Sequence, residues 1–194
     1  MDSRTHSRTI LTSAYSRRYV QANMLYTLEG LETQENLDTL NISGNRLQKL
    51  ENLAGCANLH TLLCSSNELE TVEDILHLTE CTQLSTLDLQ DNKLADPEAR
   101  HCRVTPAAEL DWSESWAIVG QLVSDQMKPD PVAKLQVLNI LKQLPDLRCL
   151  YLKGNPVVSN IRHYRKVIIA SIPTLTYLDD RPIFDTERRC AEAW

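Results

Sequence analysis

The sequence predicts an α/β solenoid, a stack of coils with a curved parallel sheet on its concave side and short helices or 3-10 turns on its convex side. An eleven-residue pattern predicts the strands, because it recurs at Leu37–Leu47, Leu59–Leu69, Leu84–Leu94 and Leu147–Val157. The copies carry a leucine-type residue at positions 1, 4, 6 and 11, with a cysteine once at position 6, and an asparagine at position 9. Their starts, together with a partial copy at Leu175, are separated by 22, 25, 63 and 28 residues.

This pattern, L-x-x-L-x-L-x-x-N-x-L, is that of leucine-rich repeats, which are about 20–29 residues long. Alternate residues of a strand point to opposite faces, so positions 4 and 6 share one apolar face. A short coil cannot bury that face alone and must stack against the coils before and after it. The pattern therefore predicts a leucine-rich-repeat solenoid, with repeats over residues 15–98 and the last repeat and a C-terminal helical cap over residues 137–184.

The asparagines at position 9 are predicted to form a structural ladder. Each coil turns sharply after its strand, and a side-chain amide there can satisfy backbone groups that would otherwise be buried without partners. Asp88 and Asp91 occupy positions 5 and 8, which vary between copies. The pattern therefore favours geometry over a metal site or an acid–base pair. The predicted ladder comprises Asn23, Asn45, Asn67, Asn92 and Asn155.

A degenerate first coil is predicted at Tyr15–Leu25. Its residues match those of the first clear copy when 22 is subtracted, so that Asn45 corresponds to Asn23. Arg18 stands where a leucine is expected, which is tolerable only at an open end of the stack, where one side meets solvent. Residues 1–14 do not continue the pattern, and we expect a flexible N-terminus there.

The interval of 63 residues requires an insertion of about 38 residues relative to one coil, which we assign to residues 99–136 on the convex side. Thr105 and Pro106 have the types expected at the start of a helix. Two interpretations stay open: a docking helix carrying Trp112 and Trp116, or a segment looped out where a solenoid tolerates additions.

A helical cap is predicted after the last asparagine. Ile161, Tyr164, Val167 and Ile168 have the spacing of one helix face, Pro173 follows the helix, and LTYLDD forms a final short strand. Residues 185–194 have the pattern of a C-terminal helix that starts at Asp185 and is truncated at the end of the chain.

The residues that flank the inward leucines point to the concave face, which is where solenoids typically bind partners. Towards the C-terminal end this face gathers tyrosines and mixed charges, a composition that suits a protein-binding hot spot. A solvated sheet face is the simpler alternative. The predicted contact residues are Leu63, Asp88, Gln90, Tyr151, Lys153, Tyr177 and Asp179.

Composition and motifs argue against several functions. The chain has 194 residues and a net charge of −6, which disfavours general attraction to nucleic acid. No apolar run reaches the length that spans a membrane, and no catalytic motif occurs. The six cysteines lack metal spacing and are expected to be reduced, small apolar residues. We expect a monomer without cofactor, metal or enzymatic activity.

Two resemblances point to a family. The coils with L-E-x-L on the convex side resemble the repeat subfamily typified by a regulatory subunit of protein phosphatase 1, and YRKVIIASIPTLTYLDD resembles the terminal cap of that subfamily. TVEDI (Thr71–Ile75) and LDDRP…CAEAW (Leu178–Trp194) resemble the dynein axonemal assembly factors more specifically.

The second resemblance implies a cytoplasmic scaffold that helps to preassemble the dynein arms of cilia and flagella. Its partners would be axonemal dynein chains, chaperones and other assembly factors, and it would have no catalysis of its own. The first resemblance leaves an alternative, a regulatory subunit that binds a protein phosphatase catalytic subunit.

Overall fold

The computed structural model describes residues 16–95 and 136–194. The predicted flexible N-terminus and the predicted insertion, except for Gln136, lie outside the described residues. Within them, one seven-stranded sheet runs in chain order, parallel throughout except for its last, antiparallel pair. Its strands are β1 (Arg17–Tyr19), β2 (Thr39–Asn41), β3 (Thr61–Leu63), β4 (Thr86–Asp88), β5 (Cys149–Tyr151), β6 (Tyr177–Leu178) and β7 (Arg181–Pro182).

The predicted leucine-rich-repeat solenoid is confirmed. Equivalent positions of successive copies pair in register, so that Leu40 faces Leu62 and Leu62 faces Leu87. The inward leucines of these strands are 0% exposed, and burying each contributes about 1.5–3 kcal/mol. The apolar core is therefore a continuous column that runs along the stack rather than one central cluster.

Short helices connect the strands. A 3-10 helix (Glu73–Glu80) follows the β3 coil, and α1 (Gln136–Leu141) precedes β5. The C-terminal helices are α2 (Pro156–Asn160), α3 (Tyr164–Ser171) and α4 (Asp185–Glu192). Helix α3 ends two residues before Pro173, since proline has no backbone N–H to continue it.

One feature of the predicted cap is wrong. Ile161 does not share a helix with Tyr164, because Ile161 leaves helical geometry (φ −93°, ψ 107°) and His163 is left-handed (φ 56°). The break separates α2 from α3, and Ile161 remains buried against the core cluster.

The degenerate first coil has the predicted place in the sheet. Strand β1 pairs in parallel with β2, and Arg18 faces Leu40 at the position of an inward leucine. Arg18 is half-buried, and its guanidinium donates to the side-chain oxygen of Gln34 at 3.1 Å. A buried glutamine thus compensates for the arginine at this end of the core.

Four of the five predicted ladder asparagines form equivalent sets of hydrogen bonds and are buried. In each, the amide nitrogen donates to the position-6 carbonyl of its own coil and of the preceding coil. The amide oxygen accepts from the position-11 N–H of the preceding coil. These buried residues are Asn45, Asn67, Asn92 and Asn155.

Asn23 departs from the ladder prediction. It is exposed, and its amide donates to the carbonyl of Gln21 within its own turn. No coil precedes it among the described residues, which therefore offer no preceding carbonyl for a rung to bridge. Its backbone N–H instead donates to the side-chain oxygen of Asn45.

Gly55 lies against the backbone of the preceding coil. A Cβ atom there would collide with the carbonyl oxygen of Glu32 and lie 2.7 Å from that of Leu31. We expect Gly55→Ala to lower the free energy of unfolding by about 1–3 kcal/mol, because backbone must move. Chemical denaturation followed by circular dichroism measures this, with Ala57→Ser at an exposed neighbouring position as the control. Equal stability of both variants would contradict the close approach.

Candidate protein-binding surface

The concave surface is built from two columns of side chains in register across the sheet. One column follows position 5, where Leu63 faces Asp88 and Asp88 faces Tyr151. The other follows position 3, where Cys149 faces Tyr177. All five side chains are half-buried, because neighbouring strands cover their flanks while their ends face outward.

Tyr151 and Tyr177 form an aromatic pair at the C-terminal end of this surface. Their ring centroids are 5.8 Å apart and their planes are tilted by 46°. The Tyr177 hydroxyl donates to the carbonyl of Asp180 at 3.1 Å. Burial is the largest cause that raises the pKa of Tyr151, and the nearby Cys149, Tyr177 and Asp88 raise it further. The Tyr151 hydroxyl therefore keeps its proton and remains a hydrogen-bond donor.

Asp88 lies at the centre of the surface. One carboxylate oxygen accepts from the backbone N–H of Gln90 at 2.9 Å. Burial raises the pKa of Asp88, although hydrogen bonds from Gln90 and from the Ser65 hydroxyl act in the opposite direction. The Gln90 side chain is half-buried beside it, at position 7 of the same copy.

Lys153 and Asp179 are placed differently from the other predicted contact residues. Lys153 is exposed, and its ammonium group lies 3.1 Å from the carboxylate of Asp180. Asp179 accepts from the backbone N–H groups of Leu152 and Lys153 at 2.8 and 3.1 Å. In the preceding coil, the equivalent acceptor is a backbone carbonyl, because the N–H of Leu89 donates to the carbonyl of Tyr151 at 2.9 Å. The Asp179 carboxylate replaces that carbonyl.

Asp179 thus ends the parallel sheet and is not an open contact residue, contrary to the prediction. Its backbone is left-handed (φ 51°), and the chain turns there into β7. Aspartate is one of the few residue types that tolerate this conformation. That preference is the only sequence signal that could have indicated its role.

The cap depends on an ion pair that sequence spacing did not indicate. Nε of Arg165 lies 2.6 Å from Glu187, and Nη2 lies 2.9 Å from the second carboxylate oxygen. The same guanidinium donates to the carbonyls of Leu178 and Pro182 at 3.0 and 2.9 Å. One side chain of α3 therefore holds α4, β6 and β7 together.

Tyr164 is half-buried beside this ion pair. Burial and the neighbouring Asp179 carboxylate raise the pKa of its hydroxyl. Pro173 is exposed in the turn that leads to β6. Tyr164 packs against the buried core cluster, and Pro173 follows the end of α3.

The His, Cys, Asp and Glu side chains of the described ranges are dispersed. These ranges contain no group of three or more such side chains that could hold a metal ion. The cysteines at 56, 64, 81, 149 and 190 are free thiols. Burial raises the pKa of Cys56 to about 11 and that of Cys81 to about 12, so both thiols stay protonated. No described helix has the length and apolar character needed to cross a bilayer.

Comparison with known proteins supports the resemblance seen in the sequence. The chain is 48% identical over 120 residues to the leucine-rich repeat-containing protein ODA7 of Chlamydomonas reinhardtii, a match covering 62% of this chain and 19% of that protein. It is 40% identical over 121 residues to human dynein axonemal assembly factor 1, covering 62% and 11%. The chain therefore matches less than a fifth of the length of these relatives. No family model matches it.

Solved structures support the fold. A chain of the Drosophila melanogaster SNF/U2A′ complex aligns with a TM-score of 0.65 and 22% identity, covering 94% of this chain and 86% of that chain. An internalin from Listeria monocytogenes aligns with a TM-score of 0.53 and 19% identity, covering 90% and 37%. The chain is a leucine-rich-repeat solenoid that is similar, over 62% of its length, to the dynein axonemal assembly factor 1 proteins.

Proposed function

We propose that the protein is a non-catalytic, protein-binding scaffold that acts in the cytoplasm in the preassembly of axonemal dynein arms for cilia or flagella. The similarity to ODA7 and to dynein axonemal assembly factor 1 carries this proposal. Its partners would be axonemal dynein chains, chaperones and other assembly factors, and it would act as a monomer.

The concave surface is the contact region in this proposal. Tyr151 and Tyr177 present two adjacent aromatic rings on a rigid sheet. Tyrosines are enriched among the residues that dominate binding energy, because a large ring loses little conformational entropy when it is covered. The remaining half-buried residues, Leu63, Asp88 and Gln90, extend the contact towards the middle of the sheet.

Partner capture from the cytoplasm of ciliated cells tests this function. We expect the wild-type chain to retain dynein chains and chaperones, and Tyr151→Ala or Tyr177→Ala to weaken their binding roughly thirtyfold, the effect of losing about 2 kcal/mol at a hot spot. Tyr26→Ala is the matched control, because Tyr26 is exposed outside the concave columns. Circular dichroism verifies that all variants fold.

The same capture separates the two candidate functions. Recovery of a protein phosphatase catalytic subunit, without dynein chains, would favour the phosphatase-regulator alternative. Unchanged retention of dynein chains by both tyrosine variants would remove the concave contact while leaving the assembly role in place.

A further inference from the structure

Asp88 carries a charge on the concave surface, and besides burial, the charge of Asp91 lies close enough to raise its pKa. Positions 3, 5 and 7 of the three copies that contain β2, β3 and β4 supply nine side chains to this face, and only Asp88 among them is ionisable. The nine are Thr39, Asn41, Ser43, Thr61, Leu63, Ser65, Thr86, Asp88 and Gln90. Among these nine side chains, Asp88 therefore defines one electrostatic contact point.

The repeat geometry does not need this charge. Asn41 occupies the equivalent position two coils earlier, and its side-chain oxygen accepts from the N–H of Ser43 at 3.0 Å. Asp88 makes the same bond to Gln90 at 2.9 Å. A neutral amide therefore satisfies the same turn in the same sheet. Beyond this bond, the carboxylate of Asp88 adds its charge and an acceptor for the Ser65 hydroxyl.

The described part of the chain does not neutralise that charge. No basic side chain in the ranges 16–95 and 136–194 forms an ion pair with Asp88. Lys153 lies at position 7 of the next copy, and its ammonium group is paired with Asp180. Asp88 is half-buried between Leu63 and Tyr151, which face it from adjoining strands. Asp88 is therefore a partly desolvated anion, and pairing with a cation of a bound partner would lower its free energy.

We propose that the concave surface recognises a partner segment through one arginine side chain, whose guanidinium pairs with Asp88 and stacks on the ring of Tyr151. This inference deepens the proposed protein-binding function and rests on it. The apolar neighbour Leu63 would cover the aliphatic stem of the same arginine.

Arginine fits this place better than lysine. The guanidinium is planar, donates in a fork that matches the two oxygens of a carboxylate, and stacks on aromatic faces. It is also more weakly hydrated than an ammonium group, so it loses less on entering a half-buried site. Tyr151 supplies the aromatic face on the strand adjoining Asp88.

Selection from a random 15-residue peptide display library tests the inference without assuming which protein is bound. The whole chain is used in three forms: wild type, Asp88→Asn and Asp91→Asn. Asp88→Asn copies the arrangement of Asn41 and should fold, which thermal denaturation verifies. Asp91→Asn is the matched control, because it removes the same charge three residues away at an exposed site whose left-handed backbone (φ 51°) suits asparagine.

We expect peptides selected on the wild-type chain to be enriched in arginine. They should bind Asp88→Asn at least about tenfold more weakly, and Asp91→Asn less than about threefold more weakly, because solvent screens the charge of the exposed Asp91. Replacing their arginine with citrulline, which is neutral, should reduce binding to the wild type by a similar factor, and lysine should reduce it less.

Three results would overturn the inference: selected peptides without an arginine preference, equal binding to Asp88→Asn, or no selected peptide at all. None of these depends on dynein. Failure of the assembly role would instead appear as the absence of dynein chains in the cytoplasmic capture.

Discussion

Replacing Asn67 with alanine is expected to lower the free energy of unfolding by about 2–4 kcal/mol. Its oxygen is the acceptor for the buried N–H of Leu47 at 3.2 Å, and its nitrogen donates to the carbonyls of Ile42 and Cys64 at 3.1 and 3.0 Å. Alanine would leave the N–H without this acceptor and each carbonyl with one bond fewer. Because the three groups belong to two coils, the loss would weaken their stacking. Urea denaturation followed by circular dichroism measures it.

Asn23→Ala is the matched control for this prediction. Asn23 occupies the same repeat position, but it is exposed and its amide bonds only within its own turn. Its replacement should change the free energy of unfolding by no more than about 0.5 kcal/mol. If both variants lost the same stability, the ladder would not be the reason that asparagine recurs at position 9 along this chain.

Replacing Arg165 with methionine is expected to lower the free energy of unfolding by about 2–3 kcal/mol. The side chains of Arg165 and Glu187 are 18% and 27% exposed, so solvent screens the pair in part and the loss stays below that of a fully buried pair. Methionine keeps much of the packing volume but leaves Glu187 without its bidentate partner. The carbonyls of Leu178 and Pro182 lose donors as well.

A double-mutant cycle with Glu187→Gln isolates the interaction itself. Lys153→Met provides the control, because Lys153 pairs with Asp180 at a site where both side chains are more than 60% exposed. That exposed pair should contribute less than about 1 kcal/mol. A coupling energy near zero between Arg165 and Glu187 would mean that the guanidinium acts only through the two carbonyls.

The ion pair also predicts a pH dependence. A hydrogen bond from Arg165 is the largest cause that lowers the pKa of Glu187 from its ordinary value of 4.5. A carboxylate with a lowered pKa in the folded state stabilises the fold above its ordinary pKa. This contribution is lost as the pH falls through the lowered value. The stability difference between wild type and Glu187→Gln should therefore be constant near neutral pH and shrink below about pH 4.5.

Most of the sheet could be predicted because its information is local and repeated. Leucines at positions 4 and 6 and an asparagine at position 9 recur with one spacing, so each copy supports the assignment of the others. The first coil can be recognised although Arg18 replaces its leucine. Its residues precede those of the next coil by 22, and β1 pairs with β2 at this same spacing.

The side chains of the concave columns could be predicted for the same reason, but the pairing of their charges could not. Strand alternation places Asp88, Tyr151 and Tyr177 on one face. The charged side chains of this face differ in their pairing: among the described residues no cation pairs with Asp88, whereas Lys153 is paired with Asp180. Those pairings depend on which residues of other coils come close.

The sequence by itself determined the number and register of the described coils, the inward leucines and the positions of the buried asparagines, because a repeated pattern specifies contacts between neighbouring copies. Only the tertiary structure decided that Asn23 remains outside the ladder, that His163 divides the cap into two helices and that Asp179 ends the sheet. The Arg165–Glu187 pair belongs with these. Each depends on a group that folding brings near, or fails to bring near, from a part of the chain with no periodic relation to it.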